Sequence, residues 1–168
     1  IFVYENGKWR DISPADIDGD AAAAGDAYCG LLVDSDNTDT VICCGAPYRS
    51  NAGRIYRSTD GGKSWRSVSA GFNSMGVVDI AVDPENGKTV YALAGTGVGR
   101  TEKKGDGKYT GIYRSTDGGA TWEKGGYSTN IADMCFNPLN EKELLLVYGA
   151  GLNKITDTDD ISFPHIRF

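Results

Sequence analysis

The sequence predicts an all-β protein built from short antiparallel sheets repeated along the chain. Three observations predict it. First, Ile55-Tyr56-Arg57-Ser58-Thr59-Asp60-Gly61-Gly62 returns 57 residues later as Ile112-Tyr113-Arg114-Ser115-Thr116-Asp117-Gly118-Gly119, with Trp65 and Trp122 at the same offset. Second, a motif precedes each box: Val33-Asp34-Ser35-Asp36-Asn37 with Thr40-Val41, and Val82-Asp83-Pro84-Glu85-Asn86 with Thr89-Val90. Third, Gly fills 23 of 168 positions, about twice the usual ~7%. Turn residues bound every short β-branched or aromatic run. Strand-rich repeats of this size point to β-propeller blades.

Residues 1–10 come first. Ile1-Phe2-Val3-Tyr4-Glu5-Asn6-Gly7-Lys8-Trp9 is a worn copy of the box and its Trp, so this stretch is expected to form the outer strands of a preceding blade. Blades are expected over 28–68, 77–124 and 131–168. In the middle one the four strands are placed at Val77–Val82, Thr89–Leu93, Gly111–Ser115 and Thr121–Lys124. The third unit opens on Phe136-Asn137-Pro138-Leu139-Asn140 and Leu144, and Gly151 through Asp157 aligns with Gly111 through Asp117 without a gap. Val90–Ala94 and Leu144–Tyr148 are nearly continuous apolar runs, which suits strands buried on both faces between stacked blades. Ala21–Ala24 hints at helix but is too short to stand by itself. The expected fold is therefore a single partial propeller over 1–168, with about three four-stranded blades. Propellers close with 4–8 blades, so other chains, other propeller segments or copies of itself would complete the ring.

The boxes have a physical task. Asp-Gly-Gly is hairpin-turn chemistry, with Gly supplying positive φ. The carboxylate can accept hydrogen bonds from the backbone N–H groups of its own turn. The indole can return across the hairpin and cover the apolar side. Ser58, Asp60, Gly62 and Trp65, and Ser115, Asp117, Gly119 and Trp122, are accordingly read as structural.

The pattern Ser-x-Asp-x-Gly-x-x-Trp resembles the Asp-box (bacterial neuraminidase) repeat, which occurs in sialidases, sortilin-type receptors, photosystem assembly factors and xyloglucan-cleaving glycosidases. Gly7-Lys8-Trp9-Arg10-Asp11-Ile12-Ser13-Pro14, then Tyr28-Cys29-Gly30-Leu31-Leu32-Val33-Asp34, then Asp39-Thr40-Val41 and the box follow an order similar to the N-terminal propeller of endo-xyloglucanases and oligoxyloglucan reducing-end-specific cellobiohydrolases. The sequence departs at Ser35, where that family has Pro, and at Tyr48-Arg49, where members often carry Trp. The resemblance implies two seven-bladed propellers with a cleft between them, and an inverting mechanism on two Asp residues. Neither catalytic motif is recognisable, so no catalytic residue is carried over. It also implies a secreted or extracellular glycoside hydrolase acting on xyloglucan or a related β-glucan, to which this chain contributes sugar-binding loops. The alternative is a non-catalytic glycan- or protein-binding propeller module that oligomerises to close its ring.

Propeller geometry sorts the loops. Those at about 10–27, 45–53, 69–76, 95–110 and 125–130 open on the face that usually binds ligand. Sugars favour flat aromatic platforms beside bidentate polar groups, so Tyr48, Arg49, Asn51 and Tyr109 are the expected substrate-binding residues. Asp16, Asp18 and Asp20 are read as a solvated acidic loop, since the Ca²⁺-loop pattern is not met. Nothing asks for a metal or a cofactor. Gly95-Thr96-Gly97-Val98-Gly99 precedes no helix and is no nucleotide fingerprint.

Net charge is −6 at pH 7, against the clustered basic face that nucleic acid requires. No apolar run reaches the ~18–20 residues of a membrane helix. The single His, His165, argues against a Ser–His or Cys–His nucleophile. Cys29, Cys43, Cys44 and Cys135 lack metal-site spacing and are expected as buried free thiols, with one disulfide from Cys29 to Cys43 or Cys44 as the other option. The chain opens on Ile1 rather than Met, with no signal-peptide pattern, and is expected to be processed, trimmed or part of something longer.

Overall fold

A computed structural model describes residues 1–14, 26–34, 36–47, 54–70, 77–94, 111–125, 131–148 and 151–155. It is all-β: among the described residues there is no helix, and none is long and apolar enough to cross a membrane. A two-stranded hairpin comes first, β1 (Phe2–Glu5) and β2 (Lys8–Asp11). Two four-stranded meanders follow. The first orders β3 (Asp26–Val33), β4 (Val41–Pro47), β5 (Arg54–Ser58) and β6 (Arg66–Ser67). The second orders β7 (Val77–Asp83), β8 (Asn86–Ala94), β9 (Gly111–Ser115) and β10 (Glu123–Lys124). The last sheet has three described strands, β11 (Ile131–Asn137), β12 (Asn140–Tyr148) and β13 (Gly151–Ile155). All neighbours are antiparallel. This is a partial β-propeller. Ala21–Ala24 lies outside the described residues.

The sheets stack face to face, and alternation along one strand shows how. In β8, Val90, Ala92 and Ala94 point to the first meander and join Leu32, Ile42, Cys44 and Ile55. Tyr91 and Leu93 point the other way, to Met134, Leu144 and Leu146 of the third sheet. A strand that buries successive side chains on opposite faces has no polar position to spare, which is why Val90–Ala94 reads as an unbroken apolar run. Tyr56, Tyr91 and Tyr113 are among the largest fully buried side chains, each worth about 1.5–3 kcal/mol of burial.

Part of the outer face of the first meander is covered: Cys43 and Tyr56 pack with Ile1 of the N-terminal segment and with Trp65 of the first box. Cys43 and Cys44 are buried on opposite faces, as adjacent strand residues must be. Cys135 differs from the buried thiol expected of it. It is exposed, because it sits on the face of β11 opposite Met134 and no further described sheet covers that face. The side chain of Cys29 lies outside the described residues.

The hairpin β1–β2 repeats the outer strand pair of the blades, hydrogen bond for hydrogen bond. The Ile12 N–H donates to Ile1 C=O at 2.9 Å, as Val68 does to Ile55 at 2.9 Å and Gly125 to Ile112 at 2.8 Å. Phe2 pairs with Asp11 as Tyr56 does with Ser67 and Tyr113 with Lys124. Ser13 caps the start of β1, as Ser69 caps that of β5. The turn is different: Asn6 (φ 51°) and Gly7 (φ 77°) make a two-residue loop of the kind that matches strand twist, where the blades carry a longer acidic box.

Candidate functional site

The two boxes fold identically. In each, the Ser hydroxyl donates to the Asp carboxylate (Ser58 to Asp60, 2.8 Å; Ser115 to Asp117, 2.7 Å). The same hydroxyl accepts the second Gly N–H at 2.8 Å in both. Asp60 then accepts Lys63 N–H, Ser64 N–H and the Ser64 hydroxyl; Asp117 accepts Ala120 N–H, Thr121 N–H and the Thr121 hydroxyl. The paired glycines have φ of 68° and 81° in each box, which side chains with a Cβ rarely adopt. The first Gly N–H reaches a carbonyl at or just after the turn between the same sheet's two inner strands, Gly61 to Asp39 and Gly118 to Lys88. Box turns and inner turns therefore lie together at one end of the sheets.

Electrostatics follow from the donors. Hydrogen bonds from Ser64, side chain and backbone, and from Ser58 hold Asp60 far below the usual carboxylate range. For Asp117 partial burial pushes upward, but Thr121, Ser115 and Ala120 outweigh it and leave the group at about 2. Both carboxylates are ionised and fully engaged with their own turns, so they offer neither a proton nor a free oxygen to a substrate.

Each box is also an inter-sheet wedge. A Cβ on Gly119 would lie 2.8 Å from Ile42 Cδ1 of the first meander, and one on Gly62 would lie 2.8 Å from Ile12 Cδ1. Trp122 covers Gly119 and packs on the core between the two meanders. Trp65 donates its Nε1–H to Ile12 C=O at 2.8 Å. Arg57 reaches across from the first meander and donates to Gly118 C=O at 2.7 Å. Covering the turn, which the sequence suggested for the indoles, is thus half of what they do.

At the opposite end, where the loops expected to bind ligand depart, the sheets share a second device. The innermost strand of each slips register by one residue near its start: between Tyr28 and Gly30, Val77 and Asp79, and Ile131 and Asp133. Such bulges re-aim side chains. Asp79 accepts the Met134 N–H of the next sheet at 3.2 Å, as well as the Ile80 N–H at 2.9 Å. Asp133, one sheet further, accepts the same Met134 N–H at 3.0 Å, which brings the two carboxyls together. Burial pushes the Asp79 carboxyl up, the Met134 N–H pulls it back and Asp133 adds to the rise, leaving it at about 6. In the first meander the position is Gly30, where a Cβ would strike Cys44 Sγ at 2.7 Å and Ile80 Cγ1 at 3.0 Å. The sequence reading missed this pair. Its signal was an Asp three residues ahead of each of Val82-Asp83-Pro84 and Phe136-Asn137-Pro138.

Tyr48, Arg49, Asn51 and Tyr109 lie outside the described residues, as do the loops 15–25, 48–53, 71–76, 95–110 and 126–130. Among the described residues no cluster of His, Cys, Asp and Glu could hold a metal ion.

Comparison with known proteins agrees with this geometry. The BNR/Asp-box repeat family matches residues 56–67 and 113–124, the two box hairpins. The chain has no match among curated proteins. Among solved structures it is similar to a GH74 enzyme of Niastella koreensis: 18% identity over 90% of this chain and 24% of that one, with a TM-score of 0.62. It is also similar to YCF48 from Cyanidioschyzon merolae, at 14% identity, 79% and 35% coverage and a TM-score of 0.54. A structure of YCF48 bound to D1 peptide overlays at 14% identity, 80% and 37% coverage and a TM-score of 0.50. The chain thus spans a quarter to rather more than a third of the proteins it overlays.

Proposed function

We propose that this chain is a propeller segment of a secreted glycoside hydrolase acting on xyloglucan or a related β-glucan. Its loops bind sugar through Tyr48, Arg49, Asn51 and Tyr109. The observation that carries the reading is the overlay on a GH74 enzyme across 90% of the chain, together with the order of motifs from Gly7 to the first box. Blades over 28–68, 77–124 and 131–168, with 1–10 as the outer strands of a preceding one, form one part of a larger ring. Other propeller segments or copies of the chain complete it.

In this reading the chain contributes binding loops, and among the described residues no carboxylate pair is placed to cut. Inverting glycosidases keep their two carboxyls ~6.5–9.5 Å apart to admit a water. Asp79 and Asp133 share one donor, the Met134 N–H, at 3.2 and 3.0 Å and leave no such gap. Asp60 and Asp117 are consumed by their own turns. The test is retardation in a native gel cast with xyloglucan. The chain should be retarded and should release no reducing sugar, and Tyr48→Ala or Arg49→Ala should weaken retention about tenfold, a loss of ~1.4 kcal/mol. Migration unaffected by xyloglucan and every other β-glucan would overturn the proposal.

A second reading is a non-catalytic module that holds a protein or glycan within an assembled ring. The overlay on YCF48 bound to D1 peptide supports it. Ring formation by the chain itself, seen as a defined oligomer in light scattering, would favour it.

A further inference from the structure

The two seams between stacked sheets close differently at the end where the innermost strands bulge. Gly30, Asp79 and Asp133 are equivalent, each directly following the slip in register of its strand. The first two face the same amide of the next sheet. A Cβ on Gly30 would lie 3.4 Å from the Ile80 nitrogen, and Asp79 in that place accepts the Met134 N–H at 3.2 Å.

Between the two meanders the fit is steric. The same Cβ would lie 2.7 Å from Cys44 Sγ and 3.0 Å from Ile80 Cγ1, so bare backbone fills the contact and no carboxyl enters it. Between the second meander and the third sheet two carboxyls share one donor, since Asp133 also accepts the Met134 N–H, at 3.0 Å. The strands packed on β7 are β3, β4, β8 and β11. β11 brings Asp133 and, on its opposite face, Cys135. β4 brings the thiols of Cys43 and Cys44 and no charge. β3 brings Asp26, Tyr28 and Cys29, all ahead of Gly30. β8 brings Tyr91 and the one cation of these strands, Lys88. Lys88 stands five residues from Leu93, the partner of Asp79, which is about 16 Å along a strand. The pair therefore has no cation from these strands to balance it. Burial pushes the Asp79 carboxyl up, and Asp133 adds to the rise.

We propose that the seam between the second meander and the third sheet is a proton-operated joint. With one proton between Asp79 and Asp133, one carboxyl takes the Met134 N–H, the other bonds to it through that proton, and the sheets stay shut. Once the proton leaves to solvent, two anions compete for a single amide and the third sheet loosens at its Asp133 end. The seam between the meanders has Gly30 in the acid's place and stays shut throughout. An acidic medium thereby firms one seam of the molecule, and a neutral one frees it.

The test is amide exchange on the intact chain, expressed as protection relative to an unstructured amide so that the intrinsic pH dependence cancels. A carboxyl that binds its proton more tightly closed than open stabilises the closed seam fully below ~3.9, and that stabilisation is lost as pH rises through about 6. Protection of Met134 should therefore fall roughly tenfold between about pH 4 and about pH 7.5, after discounting for the half-exposed site. The ring resonances of Phe136, which meets Tyr91 edge-on across the same seam at 5.8 Å, should shift with the same midpoint. Ile80 should keep its protection, because ionisation strengthens its own bond to Asp79. Asp79→Asn keeps an oxygen for Met134 and should leave that amide protected across the range. Asp133→Asn should retain part of the fall, since burial of Asp79 remains. Equal losses at Met134 and Ile80 would mean that the whole chain loosens, and would overturn the proposal. So would a Met134 protection indifferent to pH, or a fall that survives Asp79→Asn. No readout involves xyloglucan, so failure of the proposed function leaves this inference standing.

Discussion

The two ends of the same sheets treat aspartate in opposite ways. At the box turns Asp60 and Asp117 each accept four hydrogen bonds from two serines or threonines and two backbone amides. At the inner strands Asp79 meets two backbone amides and a second carboxyl. Donors from a tight turn stabilise the anion. Partial burial and, after it, a neighbouring acid stabilise the proton. Residue type is shared, and burial together with the number of donors decides whether the side chain locks a hairpin or carries a titrating group near pH 6.

The largest contrast to test is steric. Gly119→Ala must hold φ near 81° and place a methyl 2.8 Å from Ile42. Left-handed strain of ~1–2 kcal/mol and overpacking of ~1–3 kcal/mol together predict a loss of roughly 2–5 kcal/mol in denaturant unfolding. Gly7→Ala has a similar φ of 77° but nothing within 4 Å, so it should lose only the strain, ~1–2 kcal/mol. Equal losses would mean the box glycines serve conformation only and the wedge between sheets is idle.

Next is the hydroxyl at the centre of a box. Ser115 is buried and both donates to Asp117 and accepts Gly119 N–H. Ser115→Ala leaves that amide without its acceptor, at ~1–3 kcal/mol. Asp79→Asn at the other end should do the reverse. It removes a charge that its surroundings disfavour, and should stabilise the chain at pH 7 by about 1 kcal/mol after discounting for its half-exposed position. A destabilised Asp79→Asn would mean that the Met134 bond, rather than the carboxyl pair, governs this end.

These two regions also differ in how far the sequence discloses them. The box is local: Ser115, Asp117, Gly119 and Trp122 lie within eight consecutive positions, so spacing exposes both the turn and its hydrogen bonds. Strand pairing within each sheet was legible for the same reason, from apolar runs between turn residues. The Asp79 contact joins residues 55 apart through stacking of separate sheets, and no local pattern encodes that distance. The wedge roles of Trp65 and Gly62 were hidden likewise, because Ile12 lies 53 residues from Trp65. The third sheet shows the converse. The ungapped match of Gly151–Ile155 to Gly111–Ser115 agrees with the pairing, Leu144 with Ile155 and Val90 with Ser115. Ile155 then stands at the serine position and has no hydroxyl with which to build a box.

The finest test separates the two aspartate environments by pH. Asp117 sits at about 2 when folded, below its unfolded value of ~3.9. Its contribution is complete above that unfolded value and is lost as pH falls from about 4 toward 2. Asp60 works in the same direction. Asp79 sits at about 6 when folded, above its unfolded value, so its contribution is complete below ~3.9 and is lost as pH rises from about 4 to 6. Stability from these groups should therefore peak near pH 4 and decline on both sides. Asp79→Asn should flatten the limb between pH 4 and 6 and leave the acid limb untouched. Asp133→Asn should shrink that same limb without abolishing it, since burial of Asp79, the larger cause, remains. If both variants keep the full limb, the titrating group lies elsewhere and the carboxyl pair is not what separates the inner strands from the rim.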